Sequence, residues 1–518
     1  MKYFLLVLLL SLLLFFSFLG GTSVFQVAEA RNAECAREMM AEDNWIVPQF
    51  NGELRTDKPA LEYYGMMTAY LLGGVNETSA RFFSAVCGLL LVLATFWIVR
   101  RHLSLKAAWW SALVLLSSLH VIIQFRLATP DPYLISFHVL SLYLFYEGWY
   151  TRKWRWFAGM YVALGMAVFA KGPVGLLLPG LTMLLFLVFA KTFNWKMIVS
   201  MKPWWGILLI LAVCLPWYLA VDKETGGEWT QGFFFEHNLN RFNDGLKGHG
   251  GPFVLSFLFI IAGMFPFSIF MVRAFKSAWK SRKEEHLLLF SGISVLTVAV
   301  FYAFSQTKLI NYTAPAYPFF AIITGAYLAK LVDGKFPEVT LKPELCIFAL
   351  IAIAFPVGAY FYTKNTEPLG AITWISVFFL VLPVGAVLAI RFIKRSLEKG
   401  LLTVAVTFMI TIFIFFAGPF QIIDEQSPVQ KYKEVVQSHE NVVAYKDFDH
   451  AFAFYAPNVI PVIQTEDELA SYLEKHGDVL VLSRDRSLNY MDSIPYLSCV
   501  GVDHDLFSRR SSGFYLEK

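Results

Sequence analysis

Residues 28 to 64 read AEARNAECAREMMAEDNWIVPQFNGELRTDKPALEYY, a run dense in charge, Asn, Gly and Pro set between two apolar regions. Residues 4 to 20 before it form an uncharged apolar run, and another opens near Phe82. A loop this polar, hung directly on a membrane helix and carrying carboxylates as well as cations, has the chemistry to handle a charged substrate at the lipid surface.

The rest of the chain supports that setting. Of 518 residues, 57% are hydrophobic, 16% are charged and 50 are Phe, and mean hydropathy is +0.55. Water-exposed surface needs more charge than this, so the chain reads as an all-α polytopic membrane protein. Apolar windows long enough to cross a bilayer centre on residues 4–20, 82–99, 107–124, 133–149, 156–170, 174–190, 204–221, 253–272, 287–304, 312–329, 344–361, 371–390 and 401–417. That makes about thirteen spans by hydropathy. The tightest connection is Lys171-Gly172-Pro173, which joins two short helices.

Lys and Arg are retained on the cytoplasmic side of such proteins. With the N-terminus inside, the inner loops hold Arg100, Arg101 and Lys106, then Arg152, Lys153 and Arg155, and later Arg273, Lys276, Lys280, Arg282 and Lys283. The outer turns hold far fewer. An odd number of spans puts the C-terminal hundred residues outside, beside the opening loop. Ala28-Glu29-Ala30 imitates a signal cleavage site, but the apolar run before it is about the length of a full span. The expected organisation is a transmembrane unit over 1–420, with a first outer loop at 21–80 and a large outer loop at 222–252. From Gln421 short apolar runs alternate with amphipathic segments, which reads as a small extracytoplasmic soluble α/β domain over 421–518 with a structural or docking role. Five Cys give little evidence of a disulfide framework, with Cys35 and Cys499 alone on the outer side. A net charge of +4 does not call for nucleic acid.

On this topology the unusual polar residues gather on one side. Glu29, Arg31, Asp57 and Lys58 come from the first loop, Arg126 and Asp131 from the turn after the third span, and Lys171 from the turn after the fifth. Glu236, His237, Arg241 and His249 lie in the large outer loop, and Lys308, Asn311 and Tyr312 follow the ninth span. Charged groups at span ends are costly unless paired or met by a ligand, so this set is a candidate site. Val27 to Met40 has helical composition and is expected to lie along the membrane surface. Glu29 falls in its first turn, where the helix dipole favours a carboxylate. Asn32, Ala33 and Ala36 on the same face are small or polar and leave room for a substrate. Arg37 and Glu38 are expected to make ordinary helix-surface pairs. Asn51-Gly52 signals a turn, and Asp57-Lys58-Pro59 a helix starting at Pro59, with Asp57 either its N-cap or a site residue. Lys58 has no structural role on that reading.

The order EARNAECAREM, NWIVPQFNGELRTDKP, RLATPDP, AKGPVG, PWYLAV, FFFEHNLNRF, GHGGPF, FPF and SQTKLINYTAPAYP resembles the polyprenyl-phosphate-sugar-dependent glycosyltransferases. This family includes the protein O-mannosyltransferases and the lipid A aminoarabinose transferase. The resemblance covers Glu29 to about Lys330. It implies a GT-C membrane fold, a catalytic carboxylate in the first outer loop, and inverting transfer from a lipid-phosphate sugar. Where the family carries an Asp-Glu pair in that loop, this chain has Ala28-Glu29. Either Glu29 has taken the role, or Asp131 supplies the base, or the acceptor is already anionic and needs none. Asp57 also stands where the aminoarabinose-type proteins often carry Glu.

Such a transfer needs cations for the leaving phosphate, for which Arg31, Lys58, Lys171, Arg241 and Lys308 are the candidates. A hydroxyl acceptor also needs a carboxylate to take its proton: Glu29 first, Asp131 second. Asp57, Glu236, His237, His249, Asn311 and Tyr312 are candidates for substrate contact. A divalent metal held by Asp57, His237 and His249 is the weaker reading of those residues, because they lack a recognised ligand spacing. The expected partners are a polyprenyl-phosphate-sugar donor, the bilayer and a lipid, glycan or protein acceptor. Competing readings are a polyprenyl-linked sugar flippase or transporter, a non-catalytic lipid-binding scaffold, and an oligosaccharide polymerase or ligase with a lipid-diphosphate donor. Transporters place their charges near the bilayer midplane, whereas these crowd one face.

Overall fold

The computed structural model describes residues 1–240, 250–336, 341–508 and 510–518, with the backbone alone for 237–240. Each apolar window contains helix, although 107–124 is split into Leu105–Leu116 and Leu119–Gln124. Among the described residues, seven helices are long and apolar enough to cross a bilayer: Glu77–His102, Trp195–Glu224, His286–Phe304, Ile310–Val332, Lys342–Lys364, Leu369–Ile393 and Leu397–Asp424. Lys2–Phe16, Leu105–Leu116 and Val174–Phe189 are apolar but shorter. The window at 253–272 departs from expectation. It holds Leu255–Gly263 and Phe267–Ser281, bent by 117°, and the break falls at Pro266, whose missing N–H and ring end the first helix.

Local chemistry sets the helix ends. The Asn76 side chain accepts from Ser79 N at 2.9 Å and caps Glu77–His102. Glu77 in the first turn and Arg100, Arg101 and His102 in the last suit the helix dipole. The tight turn after Lys171 is built on Gly172 at φ +78°, and a Cβ there would stand 2.6 Å from the Phe233 ring. Only Gly fits that backbone and that approach.

The first loop is ordered by its own hydrogen bonds. Val27–Ala41 is helical as expected, and Arg37 pairs with Glu34 at 2.6 Å. Asn51 and Gly52, both at positive φ, turn Gln49–Phe50 back on Glu53–Leu54. Glu38 accepts from Asn51 N at 2.6 Å and Gly52 N at 3.2 Å, so it caps this turn instead of pairing along its own helix. The next helix begins at Leu61 and not at Pro59, and has no side-chain cap. Asp57 lies 3.8 Å from Arg55.

The last stretch of chain carries a five-stranded mixed sheet. Its spatial order is Val462–Ile463, Asn441–Tyr445, Val479–Arg484, Ser511–Glu517, Leu497–His504. The first three strands are parallel, and the last two add antiparallel. Val479–Arg484 is buried along its whole length, as a central strand covered on both faces should be. One apolar core joins Ala33, Cys35, Tyr63 and Met66 of the first loop to Val442, Phe452, Leu480 and Phe514. Polar bonds pin the same junction: Asp424 accepts from Ser23 N and Oγ at 2.6 and 2.7 Å, and Asn51 exchanges two bonds with the Ile460 backbone at 2.9 and 2.8 Å.

Candidate active site

Asp131 opens the helix Asp131–Thr151. It meets Lys171, at the end of Trp154–Lys171, with Nζ to Oδ1 at 2.5 Å. Asn311 Nδ2 donates to its other oxygen at 2.8 Å. The ammonium of Lys171 also stands 5.1 Å from the centre of the Tyr312 ring, which leans on Tyr302 at 5.1 Å. Three segments 40 and 140 positions apart in the chain thus converge on one carboxylate, and the Lys171 charge and Asn311 amide both favour its ionised form. Lys58 lies close enough for its charge to act on Asp131, and its Nζ donates to the Asp57 carbonyl at 3.1 Å. Lys308, three residues before Asn311, donates to Ser305 O at 2.6 Å. The segment Gly232–Asn240 is a π-helix, a form often found at functional sites, and Phe233 seats it on Gly172. Glu236 in that segment is exposed. Arg241, His249 and the His237 side chain lie outside the described residues. Among the described residues, no group of three or more His, Cys, Asp and Glu could hold a metal ion.

Glu29 stands elsewhere. At 1% exposure, it accepts from Arg81 Nε at 2.8 Å and Nη2 at 2.9 Å, and from Ala128 N at 2.8 Å. Arg81 gives its remaining protons to the carbonyls of Leu19, Thr22 and Ser23. The face expected to leave room for a substrate is filled by protein: Asn32 donates to Ala128 O at 3.2 Å and accepts from Arg55 Nη2 at 2.6 Å, and Ala33 and Ala36 are fully buried. Arg31 is turned to the C-terminal sheet region, where Nε donates to His450 Nδ1 at 2.9 Å. Arg126 donates to the carbonyls of Leu14, Phe15 and Ser17 at the end of the first helix, a capping task.

One residue of the cluster escaped the sequence reading. Glu62 is fully buried, and neither of its carboxyl oxygens has a hydrogen-bond partner. Burial pushes its pKa up to about 8, against the opposing charges of Arg55, Lys58 and Lys171 and with that of Asp131. Its signal was present: it is the single charge in the apolar helix Leu61–Gly73.

Residues 57–219 match the dolichyl-phosphate-mannose-protein mannosyltransferase family. An uncharacterized protein of Aquifex aeolicus (strain VF5) is 30% identical over 369 residues, 70% of this chain and 83% of its own length. The undecaprenyl phosphate-alpha-4-amino-4-deoxy-L-arabinose arabinosyl transferase of Enterobacter sp. (strain 638) is 30% identical over 336 residues, 64% of this chain and 60% of that protein. The crystal structure of ArnT from Cupriavidus metallidurans bound to undecaprenyl phosphate superimposes with a TM-score of 0.82 over 98% of this chain and 97% of that one, at 19% identity. The chain belongs to the polyprenyl-phosphate-sugar glycosyltransferases of GT-C fold. In this glycosyltransferase the mannosyltransferase match begins at Asp57 and takes in Lys58, Asp131 and Lys171, while Glu29, Lys308, Asn311 and Tyr312 fall outside it. The chain spans about three fifths of the arabinosyl transferases' length, 58% and 60% for two of them.

Proposed function

We propose that this glycosyltransferase moves a sugar from a polyprenyl phosphate to an acceptor on the outer face of the cytoplasmic membrane, with inversion, and that Asp131 is its base. The observation that carries the reading is the Asp131, Lys171, Asn311 cluster with Tyr312 and Lys58 beside it. The names of the arabinosyl transferase relatives support an undecaprenyl-type carrier. In a single displacement the acceptor oxygen bonds to the anomeric carbon as the bond from that carbon to the phosphate oxygen breaks, which inverts the centre. The acceptor proton goes to Asp131. Once protonated, Asp131 no longer neutralises Lys171, whose charge is then released toward the departing phosphate together with those of Lys58 and Lys308. Proton removal and leaving-group stabilisation are coupled through one ion pair. Glu29, buried with both oxygens accepting from Arg81, braces the first loop.

The same reading takes the thirteen helical windows as spans, with the N-terminus cytoplasmic. The transmembrane unit then covers 1–420, and the 421–518 domain is extracytoplasmic, docked over the first loop. Lipid, glycan and protein hydroxyls all suit a base-assisted transfer. The test is a pair of variants assayed on the full chain in lipid nanodiscs. Asp131→Asn should lower transfer by about 100-fold or more while retaining polyprenyl-phosphate binding, and Lys58→Ala should weaken that binding. Mass spectrometry of envelope lipids and glycans from cells with and without the chain identifies the sugar moved. Unimpaired transfer by Asp131→Asn would overturn the assignment.

A further inference from the structure

The cluster around Asp131 contains a group that the transfer reaction, as written above, does not use. Glu62 has no exposed surface, and both carboxyl oxygens lack any donor although cations surround it. An ionised carboxylate in such a place gives up hydration and receives no hydrogen bond in return, a cost that protonation removes. The charged and titratable groups facing it come from every packed element. Arg55 and Lys58 precede its helix, Asp131 and Lys171 stand at two helix ends, and Tyr63, Cys35 and Tyr133 complete the shell. The last three are neutral at ordinary pH.

We propose that Glu62 is a positioning residue of the transfer site: held as the neutral acid, it adds no negative charge beside Lys58 and Lys171, and its ionisation weakens phosphate binding. This rests on the reading of the cluster as the donor-phosphate site. The charge balance shows why the proton matters. The charges acting on Glu62 are the cations Arg55, Lys58 and Lys171 and the carboxylate of Asp131, which leaves two net positive charges when Glu62 is neutral and one when it is ionised. An anionic phosphate seated by Lys58 and Lys171 meets stronger attraction in the first case than in the second. The pKa near 8 given by burial places the change at mildly alkaline pH, below the range in which lysines lose their protons. Reciprocity follows: a bound phosphate holds the proton on Glu62, and raising the pH expels the phosphate.

The experiment uses the full chain in nanodiscs with undecaprenyl phosphate as the probe, titrated from about pH 7 to about pH 9.5, where the phosphate monoester is already doubly ionised over most of the range. Wild-type affinity should fall above about pH 8 with a slope approaching ten-fold per pH unit, the slope of one linked proton. Glu62→Gln should abolish the slope, and Glu62→Asp, which keeps an acid, should retain one. An equal slope in Glu62→Gln overturns the proposal. Should that variant fail to fold, calorimetry of the wild type in buffers of different ionisation enthalpy decides. Binding at about pH 8.5 should take up a large fraction of one proton, and no uptake overturns the proposal. Failure of the wild type to bind the probe at any pH would instead overturn the donor-site reading, and this inference with it.

Discussion

Glu29→Gln separates bracing from base chemistry in the first loop. The substitution keeps the shape of a side chain that is 1% exposed and removes the charge that faces Arg81 across two bonds of 2.8 and 2.9 Å. Breaking one side of a buried ion pair costs about 3–5 kcal/mol, because the remaining charge stays buried without a partner. Arg81, at 5% exposure, keeps its bonds to the carbonyls of Leu19, Thr22 and Ser23, which pulls the figure toward the lower end. The new amide NH2 opposes that saving, since it must face a donor of Arg81 or the Ala128 N–H. A buried donor left unsatisfied costs about 1–3 kcal/mol. The two corrections are of similar size, so the expected loss is about 3–5 kcal/mol, a large share of the roughly 5–15 kcal/mol that holds an ordinary domain together.

The assay is equilibrium or thermal unfolding in nanodiscs, run beside undecaprenyl-phosphate binding and sugar transfer. Arg81→Met and the double variant complete a cycle. If the pair is a brace, the double variant should be less destabilised than the summed singles, because it leaves no orphaned charge. The result that refutes the reasoning is specific. If Glu29→Gln unfolds within about 0.5 kcal/mol of wild type, the range of surface substitutions, and yet loses transfer, Glu29 meets the substrate and the base assignment moves back to the first loop.

Gly172→Ala places a Cβ at φ +78° and 2.6 Å from the Phe233 ring. A cost of about 1–3 kcal/mol is expected from the backbone alone, with a raised donor KM because Lys171 is the adjacent residue. An unchanged KM would show that the turn does not position Lys171. Acid should loosen the contact between the first loop and the C-terminal sheet. The His450 pKa is lowered to about 4 by burial and then by the Arg31 charge, and its neutral ring accepts from Arg31. A folded value below the unfolded one of about 6.5 means that the contribution is complete above about pH 6.5 and is lost as pH falls toward about 4. Protease sensitivity of the sheet region should rise over that window in wild type and stay flat in His450→Gln.

The helical windows were legible because lipid leaves a coarse record: runs of apolar residues at span length, with Lys and Arg collected at alternate ends. The Asn51-Gly52 turn and the Lys171-Gly172-Pro173 connection were legible for a local reason, since both are written in residues that tolerate positive φ. Partner choice is a different kind of information. Asp131 and Asn311 are 180 positions apart, and nothing near Asp131 in the chain distinguishes an N-terminal turn residue from a carboxylate held between a lysine and an amide. The first acidic motif is open to two readings for the same reason. The position of Glu29 in a helix first turn, with small neighbours, describes an open carboxylate as well as a packed one. The partner that the packed reading rests on is Arg81, 52 positions on.

Arg81 and Glu62 nevertheless carry a common mark that is readable without coordinates. Each sits within an apolar stretch at the first loop and its margin, ARFFSAV in one case and ALEYYGMM in the other. At such a place water is scarce and an unmatched charge is expensive. A single charge there has three outcomes: pairing with an opposite charge, meeting a ligand, or losing its ionisation. Arg81 takes the first and fixes the loop. Glu62, which cannot find a donor among the groups packed against it, is left with the other two. A carboxylate retained beside Lys58 and Lys171 without a hydrogen bond is therefore an argument about the site's empty and filled states, because the proton that makes it tolerable is the same proton that sets how much positive charge a phosphate finds there.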